Sequence, residues 1–449
     1  MQRIFTHIEA QSDTSLNRLR RLCAQPSISA QGEGLEPTAH LVADMLTEIG
    51  CEVTLVPTDG PPVILAQKHV GSAYTLLLYN HYDVQPVDPV DEWLSAPFEP
   101  SIRDKKFYAR GAADNKGAIV SRIGAIEAYQ AQQGQLPVNI LWVIEGEEEI
   151  GSPHLAQFVD AYTDLLRTAD GCVWESGGKN ARGKYQIALG CKGLLYVELK
   201  ARHASHDLHS ALAAIVGNPA WRLIWALGAI KTPDERIQIP GFYDAVRPIS
   251  SAQQRALAHW SYPEDESRAL YGIDQFIGGV SGQALKEQLL FHPTCNVDGF
   301  QSGYTGPGSK TVLPCEATVK LDFRLVPDQD PEQILALLRA HLDAQGFDDI
   351  EIVSSDGEHP FAGDPEHPFV QIAGRVAEQI YGHKPAIIPM MSGTGPVYLL
   401  CGQFGVPMIT AGVGYAGSNA HAPNEHIRIK DFVAGTKYIA ALLEALGER

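Results

Sequence analysis

In the first third of the chain, apolar positions follow two alternating periods. Leu16, Leu19, Leu22 and Cys23 recur at helical spacing, as do Leu41, Met45, Leu46 and Ile49, so each set lines one face of a helix. Short apolar runs bounded by polar or turn residues occur at 63–66, 75–79, 138–144 and 172–174, and such runs read as buried strands. Ala118, Ile119, Ile123, Ile126 and Tyr129 place a crossover helix between the second and third runs. Strand, helix, strand in that order predicts a mostly parallel α/β sheet flanked by helices.

From Gly193 the pattern changes. Leu194-Leu-Tyr-Val-Glu-Leu-Lys and Ala317-Thr-Val-Lys-Leu-Asp-Phe-Arg alternate apolar with polar positions, as in an antiparallel sheet with one wet face. Helical spacing recurs through Pro219, Leu223, Ile224, Leu227 and Ile230, and again through Ile334, Leu335, Leu337, Leu338 and Leu342. The α/β pattern resumes after Asp364 with a helix over 372–381, a strand over 406–411 and a closing helix over 432–446. The expected architecture is a discontinuous catalytic domain, 1–190 and 360–449, carrying an inserted α+β domain over 191–359.

Length and charge narrow the function. A chain of 449 residues has ample core volume for two or three domains. Its 35 Lys+Arg against 53 Asp+Glu leave a net charge of −18, a field that repels phosphate backbones and anionic lipid. No nucleic-acid or membrane partner is expected. The first residues lack a signal-peptide core, and no stretch approaches the ~18 apolar residues of a membrane helix. Seven cysteines are scattered without a CxxC pair, which fits a reducing cytoplasm.

Ligands of open α/β sheets bind beyond the carboxyl ends of the strands, and acids and histidines collect there. His81-Tyr-Asp83 follows the second run, and Asp114-Asn-Lys-Gly117 precedes the crossover helix. Glu147-Glu148-Glu149 follows the third run, Glu175 the fourth, and Asn419-Ala-His421-Ala-Pro-Asn-Glu425 the last. Carboxylates crowded together resist ionisation unless a cation neutralises them. Imidazole with carboxylate suits zinc, and one carboxylate bridging two metals would hold them ~3.5–4 Å apart. A further carboxylate, free of metal, could deprotonate a water bridging them. That chemistry hydrolyses amides or esters.

These motifs, in this order from His81 to His421, resemble the co-catalytic di-zinc peptidases and deacylases. That family includes carnosinase-type cytosolic dipeptidases, glutamate carboxypeptidase, acetylornithine deacetylase and aminoacylase, and the cytosolic dipeptidase subgroup is the nearest. The resemblance implies two Zn2+ (Mn2+ or Co2+ as substitutes), with Asp114 bridging, His81 and Glu175 on one metal, and Glu149 and His421 on the other. It makes Glu148 the general base and Asp83 the partner that orients His81. It also implies that the insert is a lid through which the chain forms a homodimer. Asp207-Leu-His209-Ser210 resembles the segment whose histidine stabilises the oxyanion. Thr311 lies in a substrate-holding segment, Arg324 is the clamp on a free carboxylate, and Thr394 belongs to the hinge-side substrate loop. Two positions depart from the subgroup: Ala211 replaces a frequent Gly, and Glu175 replaces the usual Asp. Glu there is typical of the carboxypeptidase and deacylase branches.

The expected activity is hydrolysis of dipeptides or short peptides. The alternatives are N-acyl-amino-acid deacylation and, more remotely, metal binding without catalysis. Gly412-Val-Gly414-Tyr-Ala-Gly417 spells a dinucleotide fingerprint, but loop residues follow where a helix should open. The 303–311 segment approaches a phosphate loop but has Ser309 before Lys310. His203, His206 and His209 recur every third residue, a spacing that drifts around a helix. His426 is the nearest competitor of His421.

Overall fold

The computed structural model describes residues 1–448. Its central sheet runs, in spatial order, Glu52–Val56, Val63–Lys68, Asn139–Glu145, Thr75–His81, Gly171–Trp174 and Met408–Thr410. The last four strands are parallel. Asn139–Glu145 is buried at every position and Thr75–His81 at all but its first, as covering both faces of a sheet requires. Alternate side chains therefore meet different layers. Leu76, Leu78, Ile140 and Trp142 pack with the helices Lys116–Gln133 and Ile429–Gly447, whereas Leu77, Tyr79, Leu141 and Val143 pack with Leu155–Leu166.

The strand Val63–Lys68 departs from the parallel pattern. It pairs antiparallel with both Glu52–Val56 and Asn139–Glu145. Burial on both faces makes such a run apolar whichever way it points, so its composition carries no direction.

A second sheet is antiparallel throughout, in the order Thr294–Ser302, Glu316–Leu325, Gly193–Arg202, Glu351–Glu358. Burial alternates strictly along Gly193–Leu199 and Ala317–Val319. Val197, Leu199, Val319 and Leu321 pack with Leu223, Ala226, Leu338 and Leu342 of the helices Pro219–Ile230 and Pro331–Ala344. The helices Ser251–His259 and Gly282–Phe291 pack elsewhere: Leu257, Leu290 and Phe291 join Ala188, Ile388 and Met390. Those last three lie on or beside the strands Tyr185–Ala188 and Ala386–Ile388, outside 191–359. No described helix is long and apolar enough to cross a membrane, and all seven cysteines are free thiols.

Candidate metal centre

The parallel strands deliver their chemistry at one edge of the sheet. His81 ends its strand, Glu175 follows Gly171–Trp174 directly, and Glu148 and Glu149 open a single 3-10 turn, Glu148–Ile150, beyond Asn139–Glu145. His421 reaches in from the loop after Met408–Thr410, with a left-handed φ of 62°.

Asp83 organises two of these groups at once. Its Oδ1 lies 3.2 Å from His81 Nδ1, and the same carboxylate accepts the backbone N–H of Glu148 at 3.3 Å and of Glu149 at 3.0 Å. With Nδ1 so engaged, the other imidazole nitrogen faces Asp114: His81 Nε2 lies 3.0 Å from Asp114 Oδ1. The second Asp114 oxygen, Oδ2, lies 3.1 Å from His421 Nε2, which is also 3.1 Å from Glu149 Oε2. Asp114 therefore turns one oxygen to each histidine. Donor atoms of His81, Asp114 and Glu149 fall within 4.8 Å of one another.

Burial sets the electrostatics. Loss of solvent pushes the Glu148 carboxyl well above the usual range, with Glu175, Asp114 and Glu149 adding repulsion. Burial, followed by repulsion from Asp114, raises Glu175 to about 8. Burial also pushes Asp114 up, but hydrogen bonds from His421 and His81 outweigh it and hold this carboxyl below the ordinary range. Hydrogen bonding to Asp114 and then to Glu149 lifts His421 to about 10. Four acids that repel one another this strongly, interleaved with two imidazoles, form a donor set that fits dications.

The four residues expected to serve the substrate form two separate groups. Arg324 Nη1 donates to Thr394 Oγ1 at 2.6 Å, joining the antiparallel sheet to the 391–396 loop. His209 pairs with Val312 in a two-residue ribbon, next to Thr311, whose carbonyl accepts the Ser210 N–H at 3.1 Å. His209 is exposed, and among the described residues no hydrogen bond or ion pair joins it or Thr311 to the acid–histidine cluster.

The competing motifs go elsewhere. His426 Nε2 faces the Tyr415 hydroxyl at 2.6 Å and its Nδ1 faces the Asn424 carbonyl. A two-residue strand, Gly414–Tyr415, and a turn follow Gly412, with no helix opening. His203 lies 3.4 Å from Asp349 and His206 2.9 Å from the Ser205 hydroxyl, and among the described residues these histidines form no metal-sized cluster with His209.

Sequence reasoning missed the supports. Glu425, fully buried, accepts N–H groups of Gly111, Ala113 and Asp114 and a 2.8 Å bond from Arg110. Gln85 Nε2 donates to Glu149 Oε2 at 2.9 Å. Asn115 Nδ2 donates to Glu175 Oε2 at 2.8 Å. Asn115 and Glu425 lie inside the candidate ligand segments 114–117 and 419–425, which was their only signal.

Known proteins resemble this chain over most of its length. Residues 77–445 match the model of peptidase family M20/M25/M40. An M20 family metallo-carboxypeptidase from Sulfolobus solfataricus has a similar structure, with a TM-score of 0.91 and 38% identity over 97% of this chain and 99% of that one. The Beta-Ala-His dipeptidase of Mus musculus is 27% identical, covering 100% of this chain and 96% of its own length. A Cys-Gly metallodipeptidase of Schizosaccharomyces pombe is 26% identical over 99% of this chain and 98% of its own.

Proposed function

The chain belongs to peptidase family M20/M25/M40 and is a metal-dependent hydrolase of peptide bonds, and from that premise we propose that it is an exopeptidase of dipeptides or short peptides, with dipeptidase or carboxypeptidase character. The carboxypeptidase side draws support from the Sulfolobus enzyme and from Glu at position 175.

His81, Asp114 and Glu175 would hold one dication, and Asp114, Glu149 and His421 the other. Zinc suits these ligands, with Mn2+ or Co2+ as substitutes. When bound, such a pair lowers the pKa of a water and polarises the scissile carbonyl. The chain's own groups do the rest. Glu148 stands among the ligands, and its carboxylate makes no hydrogen bond to a described residue, so it is available to take a proton from the attacking water and pass it to the leaving amine. Asp83 keeps His81 oriented and, through two backbone N–H groups, holds the turn that carries Glu148. Arg324, steadied by Thr394, meets the free carboxylate of the substrate. His209 and Thr311 serve the substrate from the insert over 191–359, which acts as lid and as the contact of a homodimer. The free thiols suit a cytoplasmic setting.

The single observation that carries this reading is the placement of Asp114, one oxygen toward His81 and the other toward His421. A second reading, N-acyl-amino-acid deacylation on the same residues, draws on Glu175. Rates measured side by side on dipeptides and N-acetyl amino acids decide between them: faster dipeptide cleavage supports the exopeptidase, and preference for the acetylated substrates overturns it.

A further inference from the structure

Among the described residues, Arg122 is a buried cation with no carboxylate in salt-bridge contact. Its side chain is 1% exposed, and its guanidinium donates to the carbonyls of Tyr79 at 2.6 Å and Trp174 at 2.7 Å and to Asn80 Oδ1. A guanidinium surrounded by neutral acceptors in the core is costly to desolvate, so its place under the candidate metal centre calls for a reason.

The hydrogen bonds around Asn80 supply one. Its Oδ1 accepts from Arg122 and, at 3.0 Å, from Trp142 Nε1. Guanidinium and indole N–H groups are donors only, so both demand an oxygen and the Asn80 amide has one permitted orientation. Its Nδ2 must then point away, and it donates to Asn115 Oδ1. That fixes the Asn115 amide in turn, directing its Nδ2 to Glu175 Oε2 at 2.8 Å and to the Glu175 carbonyl at 3.1 Å. Arg122 holds the same strand end from the other side, through the carbonyl of Trp174. Every member of the chain is buried.

We propose that Arg122 and Asn80 are positioning residues for Glu175: they set the polarity of an amide relay, Asn80 to Asn115, that presents a donor to Oε2 and leaves Oε1 as the oxygen to face a cation. The inference rests on the reading of Glu175 as a metal ligand. It also explains how a glutamate works where a shorter aspartate would suffice, because the added torsion of Glu175 is immobilised by a donor of fixed direction. Neither Arg122 nor Asn80 touches the ligand itself.

The substitution Asn80→Asp separates positioning from packing. Aspartate keeps the shape and still offers oxygens to Arg122 and Trp142, so the core remains satisfied, but it has no N–H for Asn115. The Asn115 amide then turns its donor toward the introduced carboxylate and its oxygen toward Glu175. Zn2+ is titrated into chelator-stripped wild-type and Asn80→Asp proteins against a chromophoric chelator, with thermal unfolding of the metal-free proteins run in parallel. The relay predicts that Asn80→Asp unfolds near the wild-type temperature while one of two Zn2+ equivalents binds roughly 10–100-fold more weakly. Asn115→Ala, which removes the donor without touching Arg122, should weaken the same equivalent. Wild-type affinity for both equivalents in either folded variant overturns the relay. Failure of the wild-type protein to take up Zn2+ at all would instead remove the Glu175 assignment on which it rests.

Discussion

Glu425 accepts the backbone N–H of Asp114 at 3.0 Å across 311 residues of sequence. The contact ties the loop that carries the bridging-ligand candidate to the loop that carries His421, and the Arg110 guanidinium neutralises the acid at 2.8 Å. Glu425→Gln keeps the shape but strips the charge from a buried pair. Loss of one partner of such a pair costs about 3–5 kcal/mol, so denaturant unfolding should show a drop of that order. A change within experimental error would mean that Glu425 does not hold the two loops together.

As the proposed general base, Glu148 would have a role that metal binding does not need. Glu148→Gln should reduce turnover by at least ~100-fold, the lower range of general acid–base contributions, with metal content unchanged. Lost metal accompanied by partial turnover would place Glu148 among the ligands instead.

In the proposed function Arg324 answers for the substrate carboxylate. A charge-assisted hydrogen bond contributes about 1.5–3 kcal/mol, so Arg324→Ala should raise KM for a dipeptide by roughly 10–150-fold. The corresponding dipeptide amide, which lacks the anion, should be cleaved equally by both proteins. An equal loss on acid and amide would assign Arg324 a structural role.

Lys192 makes stability depend on pH. Burial first, and Arg324 second, lower its ammonium from 10.5 to about 8, and it donates to the His292 carbonyl at 2.6 Å. Between these values the unfolded chain holds a proton that the folded chain has released, so this group makes stability rise with pH from about 8 to 10.5. Lys192→Met removes the buried charge. Below pH 8 the variant should be more stable by on the order of 1–3 kcal/mol, an advantage that fades as pH approaches 10.5. Urea midpoints at pH 7, 8.5 and 10 check this, and parallel pH profiles for the two proteins would contradict it.

Much of the centre was legible because strand ends are legible. Each apolar run stops at a polar group, and a parallel strand that ends in His81, or passes into Glu148 or Glu175, announces the edge where ligands gather. The alternation that exposes one face of Gly193–Arg202 was equally readable. What escaped depends on contacts that no local pattern encodes. Arg122 lies on the buried part of the helix Lys116–Gln133, between Val120 and Ile123, and its reason for burial appears only when Tyr79, Asn80 and Trp174 arrive from two different strands. Glu425 looks like a loop acid until four donors close around it. The direction of Val63–Lys68 was hidden for a different reason, since its neighbours on both faces are apolar.

The central claim is that His81, Asp114, Glu149, Glu175 and His421 hold two cations without which no peptide bond is cut. Elemental analysis and dipeptide hydrolysis, followed on the same sample through chelation and Zn2+ readdition, test it most directly. The account predicts two metal equivalents per chain, activity that falls to background as they are removed, and recovery on readdition. Hydrolysis that persists in fully stripped protein would contradict it.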